Sequence, residues 1–331
     1  MEFTFTKKPD PGLIQRWDSF VTSQVTGSLF QSSLWPCFFN PLINQWIYFY
    51  GEEKDTIRLT ALIQGRRTLL GGMTYSILRG PVCDDESALF LGIKGIVQTL
   101  GKERAVSLQL NPYWEYPAGE AVEAHLRQSG FTVLQKHAGL HSQTITIDLS
   151  QSIEEILQKC RKTTRYEIRR AQKIGLLVKI VDTEEEIKSF YRLWRKMGQR
   201  RGFRVTAYSF FSKMWALVLK HQNLGVLLMT YFEDLPISGI IILRHGDRAV
   251  YSWGASEAGI GKHIPKNHLA IWKGILWAKE KGCRLFDMGG YTGTPENGLM
   301  ENIDLFKRGF GGDVCQLVRN HQMVFRKKKQ S

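Results

Sequence analysis

The feature that most restricts the architecture is a recurrence of element types in the two halves of the chain. Leu13, Trp17, Phe20 and Val21 share one helical face, so a first amphipathic helix is expected over 11–24. Strand-like segments follow at 46–50, 57–64 and 67–70, then a helix over 86–101 and a strand over 105–110. A helix over 118–129 is closed by Gly130, and strands are expected at 131–135 and 144–149. The second half opens with the capping box Ser152-Ile-Glu-Glu155, which starts one long helix ending at Gly175. A strand over 177–181 leads to a second capping box, Thr183-Glu-Glu-Glu186, and its helix; another helix is expected over 209–222. Three antiparallel strands (225–232, 237–243, 248–253), a helix over 267–281 and a strand over 284–288 complete the pattern. Helix, three-strand meander, helix, strand thus occurs twice, and a duplicated α/β (α+β) unit is expected. The boundary falls near residue 145, with 1–145 as the first domain and 146–314 as the second. No low-complexity linker separates them.

A chain of 331 residues can bury two cores of this kind. No apolar run approaches the roughly 20 residues that span a bilayer, and the N-terminus lacks the apolar core of a signal peptide. A cytoplasmic protein is expected. The five cysteines are scattered and form no CxxC pair, which argues against a zinc ribbon or a disulfide framework. No metal site and no cofactor are expected. The net charge of +14 predicts attraction to a polyanion, an anionic membrane surface or a phosphorylated substrate.

Two stretches bear on chemistry. Arg161, Arg165, Arg169 and Lys173 recur at i+4, a one-signed stripe relieved only by Glu167. Like charges at that spacing oppose helix formation by a few tenths of a kcal/mol per pair, so an anionic partner accounts for the stripe better than solvent does. Near the C-terminus, Leu305-Phe-Lys-Arg-Gly-Phe-Gly-Gly312 sets cations between aromatics beside a glycine cluster. A cation fixed there can steady a developing oxyanion. The plain alternative is a solvated lysine at a helix end.

The helix–meander–helix–strand unit resembles acyltransferases of the GNAT type. Ser256-Glu-Ala-Gly259-Ile-Gly261 stands where such enzymes carry a glycine turn for coenzyme A phosphates, but its first position is Ser and Pro265 intrudes before the helix. Six blocks in order resemble the FemABX family, the aminoacyl-tRNA-dependent transferases that build peptidoglycan cross-bridges. They are Phe30-Gln-Ser-Ser-Leu-Trp35, Arg165–Gly175, Arg201-Gly-Phe with Val205 and Tyr208, Tyr251-Ser-Trp-Gly-Ala-Ser256, Asp287-Met-Gly-Gly290 and Phe306–Gly312. The resemblance implies two tandem GNAT-like domains, with the segment at about 315–331 folded back on the first, as in the compact members without a helical hairpin. It implies aminoacyl-tRNA as donor and a UDP-linked or lipid-linked muropeptide as acceptor, with peripheral contact at the inner face of the membrane. By the same resemblance Lys307, held by Phe306, is the catalytic candidate. Arg204, Tyr208, Tyr251, Trp253, Gln31 and Trp35 are the substrate-binding candidates, and Arg161, Arg165, Arg169 and Lys173 would meet tRNA. Pro36-Cys-Phe-Phe39 stands where compact members have a phosphate-contacting lysine, and Trp253 where a tyrosine is usual. Two other functions fit the residues: an acyl-CoA-dependent N-acyltransferase on a cell-envelope sugar or peptide, and a catalytically silent nucleic-acid-binding protein.

Overall fold

The structure is a computed structural model that describes residues 1–103, 105–134, 141–260, 264–293 and 298–325. The chain divides into two compact units, Met1–Gln143 with Cys315–Ser331, and Thr144–Val314. No helix among the described residues is long and apolar enough to cross a membrane.

In the first unit the elements are β1 (Glu2–Thr6), α1 (Pro11–Ser23), β2 (Gln45–Glu53), β3 (Thr56–Arg67), β4 (Met73–Leu78), β5 (Val82–Cys83), α2 (Glu86–Gly101), β6 (Ala105–Asn111), α3 (Ala118–Gln128) and β7 (Thr132–Val133). Asp10 caps α1 by accepting from Leu13 N at 2.8 Å, and Pro11 fills the first turn, where a missing N–H costs nothing. The last strand, β15 (His321–Val324), lies between β6 and β7, giving the sheet order β1-β2-β3-β4-β6-β15-β7. Antiparallel pairing runs from β1 to β4, and β4 and β6 are parallel, joined through α2. β3 reads as an apolar run rather than an alternation because helices cover it: α1 and α2 both pack on it. Leu59, Ala61 and Ile63 meet Leu89, Ile93 and Ile96 of α2 in one core.

Residues 67–70 are not a strand. β3 runs on to Arg67, and the chain then turns through Leu69-Leu70 before β4, because Gly71 (φ +82°) and Gly72 close a tight loop.

β8 (Gln143–Asp148) leads into the second unit, which holds α4 (Ile153–Lys159), α5 (Lys162–Lys173), β9 (Leu177–Ile180), α6 (Glu184–Arg201), α7 (Tyr208–Met214), β10 (Gly225–Phe232), β11 (Leu235–His245), β12 (Arg248–Ser256), α8 (Lys266–Glu280), β13 (Leu285–Asp287) and α9 (Gly298–Arg308), and β14 (Asp313–Gln316) leads out of it. The sheet order is β14-β8-β13-β12-β11-β10-β9. β12 and β13 are parallel, with α8 as the crossover. Trp272, Ile275 and Ala278 of α8, Ile168 of α5 and Ile240 and Ile242 of β11 form one core. Phe190 of α6 packs on Phe211 of α7 and lies beside Gly239 of β11, on the other side of the sheet.

Both capping boxes form as expected, with Ser152 and Thr183 each accepting from the backbone of a glutamate that bonds back. The single helix expected from 152 to 175 is instead two, α4 and α5. The chain breaks at Cys160 and Arg161, which take extended backbone, and Arg161 N donates to Gly309 O at 2.8 Å. The helical pattern there is sound locally, and a backbone contact far along the sequence overrides it. α7 runs on into a π-helical turn over Trp215–Leu219.

Candidate functional site

Lys307 stands in the last turn of α9 and is only 9% exposed. A buried ammonium needs partners to replace its water. It donates to the backbone oxygen of Gly290, which uses one of its three N–H groups, and lies 5.9 Å from the centre of the Tyr251 ring. Burial pushes its pKa down from 10.5 to about 8, while the charges of Asp287 and Asp304 pull the other way. These two carboxylates also shape the loop that Lys307 touches. Asp287, at the end of β13, accepts from Gly289 N at 2.7 Å and from the Thr144 hydroxyl of β8. Asp304 accepts from the backbone N–H groups of Thr292 and Gly293, each at 3.1 Å, and from the Thr292 hydroxyl. Between them the carboxylates pin the start of the segment after β13, so the Gly290 oxygen is fixed before any ligand arrives.

Gly289 has φ +67°, and a Cβ there would lie 2.5 Å from the backbone oxygen of Tyr251 and 3.9 Å from Lys307 Nζ. Only glycine lets this backbone pass between the strand and the ammonium.

Tyr251 reaches Lys307 because β12 is irregular. Ile241 pairs with Trp253 and Ile242 with Tyr251, which leaves Ser252 as an extra residue. In a regular strand residues two apart share a face; a bulge breaks that rule. Tyr251 therefore joins the α5/α8 core side, whereas Trp253 packs on Phe210 and Phe211 of α7 at 5.8 and 6.2 Å between ring centres. Burial pushes the Tyr251 hydroxyl up to about 12, against the opposing charge of Arg201, so it stays protonated at neutral pH.

The glycine cluster has a separate purpose. A Cβ on Gly311 (φ +78°) would lie 2.2 Å from Lys159 O, and one on Gly309 would lie 2.4 Å from the Thr164 hydroxyl. These glycines let the end of α9 lie backbone to backbone against the α4–α5 break, and Phe310 between them is wholly buried.

The sequence candidates separate on this frame. Lys307 and Tyr251 meet. Phe306 does not hold Lys307: successive helical side chains point about 100° apart, and the Phe306 ring packs on His268 at 5.0 Å and Phe310 at 5.3 Å. The ring that faces the ammonium is Tyr251's. Tyr208 begins α7 with its ring on Tyr191 at 5.3 Å; its hydroxyl is buried and has no hydrogen-bond partner among the described residues. Arg204 is exposed in the loop before α7. Arg161, just before α5, and Arg169 and Lys173 on it are exposed, but Arg165 folds back to donate to the oxygens of Gln158 (2.9 Å) and Cys160.

In the first unit, Gln31 is wholly buried and its amide is spent on the fold. It donates to Leu78 O at 2.7 Å and accepts from Leu62 N at 2.8 Å, clamping β3 to the end of β4. Trp35, 3% exposed, packs among Phe30, Phe38 and Phe39. Both are fold-building residues in this geometry, not surfaces for a ligand. Gly259 begins no described turn for a phosphate, since Gly261 lies outside the described residues. Sequence reasoning missed Asp304, Thr144 and the bulge at Ser252. Asp304 had a signal, standing three residues before Lys307 and so on the same helical face.

The FemAB family model matches residues 14–224, and a model described as an acetyltransferase (GNAT) domain matches 158–297. The lipid II:glycine glycyltransferase of Staphylococcus saprophyticus is 21% identical, over 85% of this chain and 84% of its own length. The UDP-N-acetylmuramoylpentapeptide-lysine N(6)-alanyltransferase of Weissella viridescens is also 21% identical, over 92% of this chain and 91% of its own. A crystal structure of FemX superposes with a TM-score of 0.83 at 17% identity, covering 98% of this chain and 97% of that one. The two units are thus tandem GNAT-like folds.

Proposed function

We propose, because the chain belongs to the FemAB family, that it is an aminoacyltransferase which moves an amino acid from aminoacyl-tRNA to the amine of a peptidoglycan-precursor peptide. The relatives are named for glycyl transfer to lipid II and alanyl transfer to a UDP-linked muropeptide lysine, so the acceptor is a lipid-linked or UDP-linked muropeptide. The observation that carries the reading is Lys307: a buried cation beside a glycine backbone fixed by two carboxylates.

The donor ester is already activated, so the reaction asks for positioning and charge stabilisation rather than a protein nucleophile. The acceptor nitrogen attacks the ester carbonyl carbon, the carbonyl oxygen takes up negative charge, and collapse expels the ribose hydroxyl, which receives the proton lost by the amine. Lys307 has N–H groups left over from Gly290 to meet that oxygen. Donors of this type contribute typically about 3–4 kcal/mol to such a step. The Tyr251 ring limits water around the ammonium, and the Tyr208 hydroxyl, buried without a partner among the described residues, is suited to a polar group of the substrate. The exposed Arg161, Arg169 and Lys173 suit the phosphates of the tRNA.

The test is to incubate the purified chain with a mixture of charged tRNAs and both muropeptide forms and identify products by mass spectrometry. An aminoacylated muropeptide is expected. Acyl transfer from coenzyme A thioesters with none from tRNA would overturn the reading.

A further inference from the structure

We propose that the first unit docks on an anionic lipid bilayer through two apolar loop tips, Leu69-Leu70 between β3 and β4 and Leu42-Ile43 before β2. Leu69 and Leu70 are 106% and 97% exposed, and Leu42 and Ile43 are 93% and 64% exposed. Side chains of this kind seldom stand fully in water two at a time on neighbouring tips. The tips are built, not frayed. Thr68 N donates to Gly72 O at 2.8 Å, Gly71 N to Thr68 O at 3.1 Å, and Gly72 N to the Thr68 hydroxyl at 3.1 Å. In the other loop, Leu42 N donates to the Asn40 side chain at 2.9 Å, and Ile43 N and Asn44 N donate to Asn40 O. These bonds hold each turn in shape, so its apolar side chains project from a formed loop.

The two tips lie side by side. Gln45 pairs with Gly65 across β2 and β3, and that register continues toward Ile43 and Arg67. Buried Asn44 ties them, accepting from Arg66 Nε at 3.1 Å and Gln64 Nε2 at 2.8 Å. Charge selects the occupant. Arg66 and Arg67 are exposed beside the leucines, and no Asp or Glu occurs in residues 40–51 or 56–83. Apolar tips with guanidinium groups beside them and no carboxylate within either loop complement an interface where acyl chains lie beneath anionic headgroups. They are convex, so a protein partner would need a matching apolar pocket, whereas a bilayer needs no set shape. The chain holds no spanning helix among its described residues, so such contact would be peripheral. The inference does not depend on the transferase reading.

The experiment is flotation of the full chain with phosphatidylcholine vesicles containing about 30 mol% phosphatidylglycerol, at low and high salt. The chain is expected to float. Leu69→Ser with Leu70→Ser should cut partitioning at least tenfold at both salt concentrations, and Leu42→Ser with Ile43→Ser should act likewise. Arg67→Gln should weaken binding only at low salt. Since these side chains meet solvent, unfolding transitions and transfer to a soluble UDP-linked acceptor should be unchanged. That separates failure here from failure of the proposed activity. A wild-type chain that stays off the vesicles overturns the proposal and assigns the tips to a protein contact. Serine variants that float as well as the wild type also overturn it.

Discussion

Replacing Lys307 with Met separates chemistry from folding. The ammonium is held with a pKa of about 8 against an ordinary value of 10.5, a shift worth about 3 kcal/mol against the charged folded state. Met removes that penalty but leaves the Gly290 oxygen without its donor, which costs on the order of 1–3 kcal/mol. The two effects nearly cancel at pH 7, and the variant should fold with stability within about 1–2 kcal/mol of the parent. The pH dependence has a fixed sign. Below pH 8 both folded and unfolded parent carry the charge, so the burial penalty is full. Between about pH 8 and 10.5 the folded state is neutral while the unfolded state still binds the proton, so the parent gains stability as pH rises. The parent should therefore gain about 2 kcal/mol on the variant between pH 7 and 9.5. Transfer should fall at least tenfold in the variant, about 1.4 kcal/mol of transition-state energy, and the parent's activity should fall as pH rises through about 8. Denaturant titrations at the two pH values and turnover with charged tRNA measure all three. Unchanged turnover, or a stability gap indifferent to pH, would refute the reasoning.

Gly311→Ala should destabilise the second unit by about 2 kcal/mol or more, since a left-handed backbone and the closeness of Lys159 O both oppose a Cβ; a denaturation midpoint measures it. Asp304→Asn removes a charge that supports the Lys307 ammonium and weakens the grip on Thr292 and Gly293. The basic limb of the pH–activity profile should move to lower pH, with turnover reduced several-fold. Reversing the exposed pair Arg169 and Lys173 to Glu should weaken tRNA binding and reduce the salt slope by roughly 0.7–0.9 for each phosphate that the helix no longer neutralises. Arg165 is a poor choice for that test because its guanidinium holds the Cys160 turn.

What was legible in the sequence was what is decided locally. Both capping boxes, the caps of the main helices and the repeated order of elements depend on residues within a few positions of each other, and the structure has them. The break between α4 and α5 was not legible, because its cause is Gly309, nearly 150 positions away on the far side of α9. Nor was the partner of Lys307. Phe306 and Phe310 are its sequence neighbours, yet the bulge at Ser252 turns Tyr251 toward it, and nothing in Tyr-Ser-Trp-Gly marks the extra residue. Gln31 shows the limit of reading a block by resemblance: the glutamine sits in the block because β3 and β4 need its amide, which a sequence cannot separate from a need of the substrate.

The place of β15 has a consequence for synthesis. Its register partners are Ser107–Leu110 of β6 on one side and Thr132 and Val133 of β7 on the other. While the ribosome is still translating, β6 is an unpaired edge and β7 has no neighbour in the sheet. The second unit is one unbroken stretch of chain, and its last strand, β14, ends at Gln316, just before β15 begins at His321. The unit whose residues emerge first is therefore the one whose sheet closes last, and a nascent chain spends most of its translation with an open strand edge, available to a chaperone or to another nascent copy.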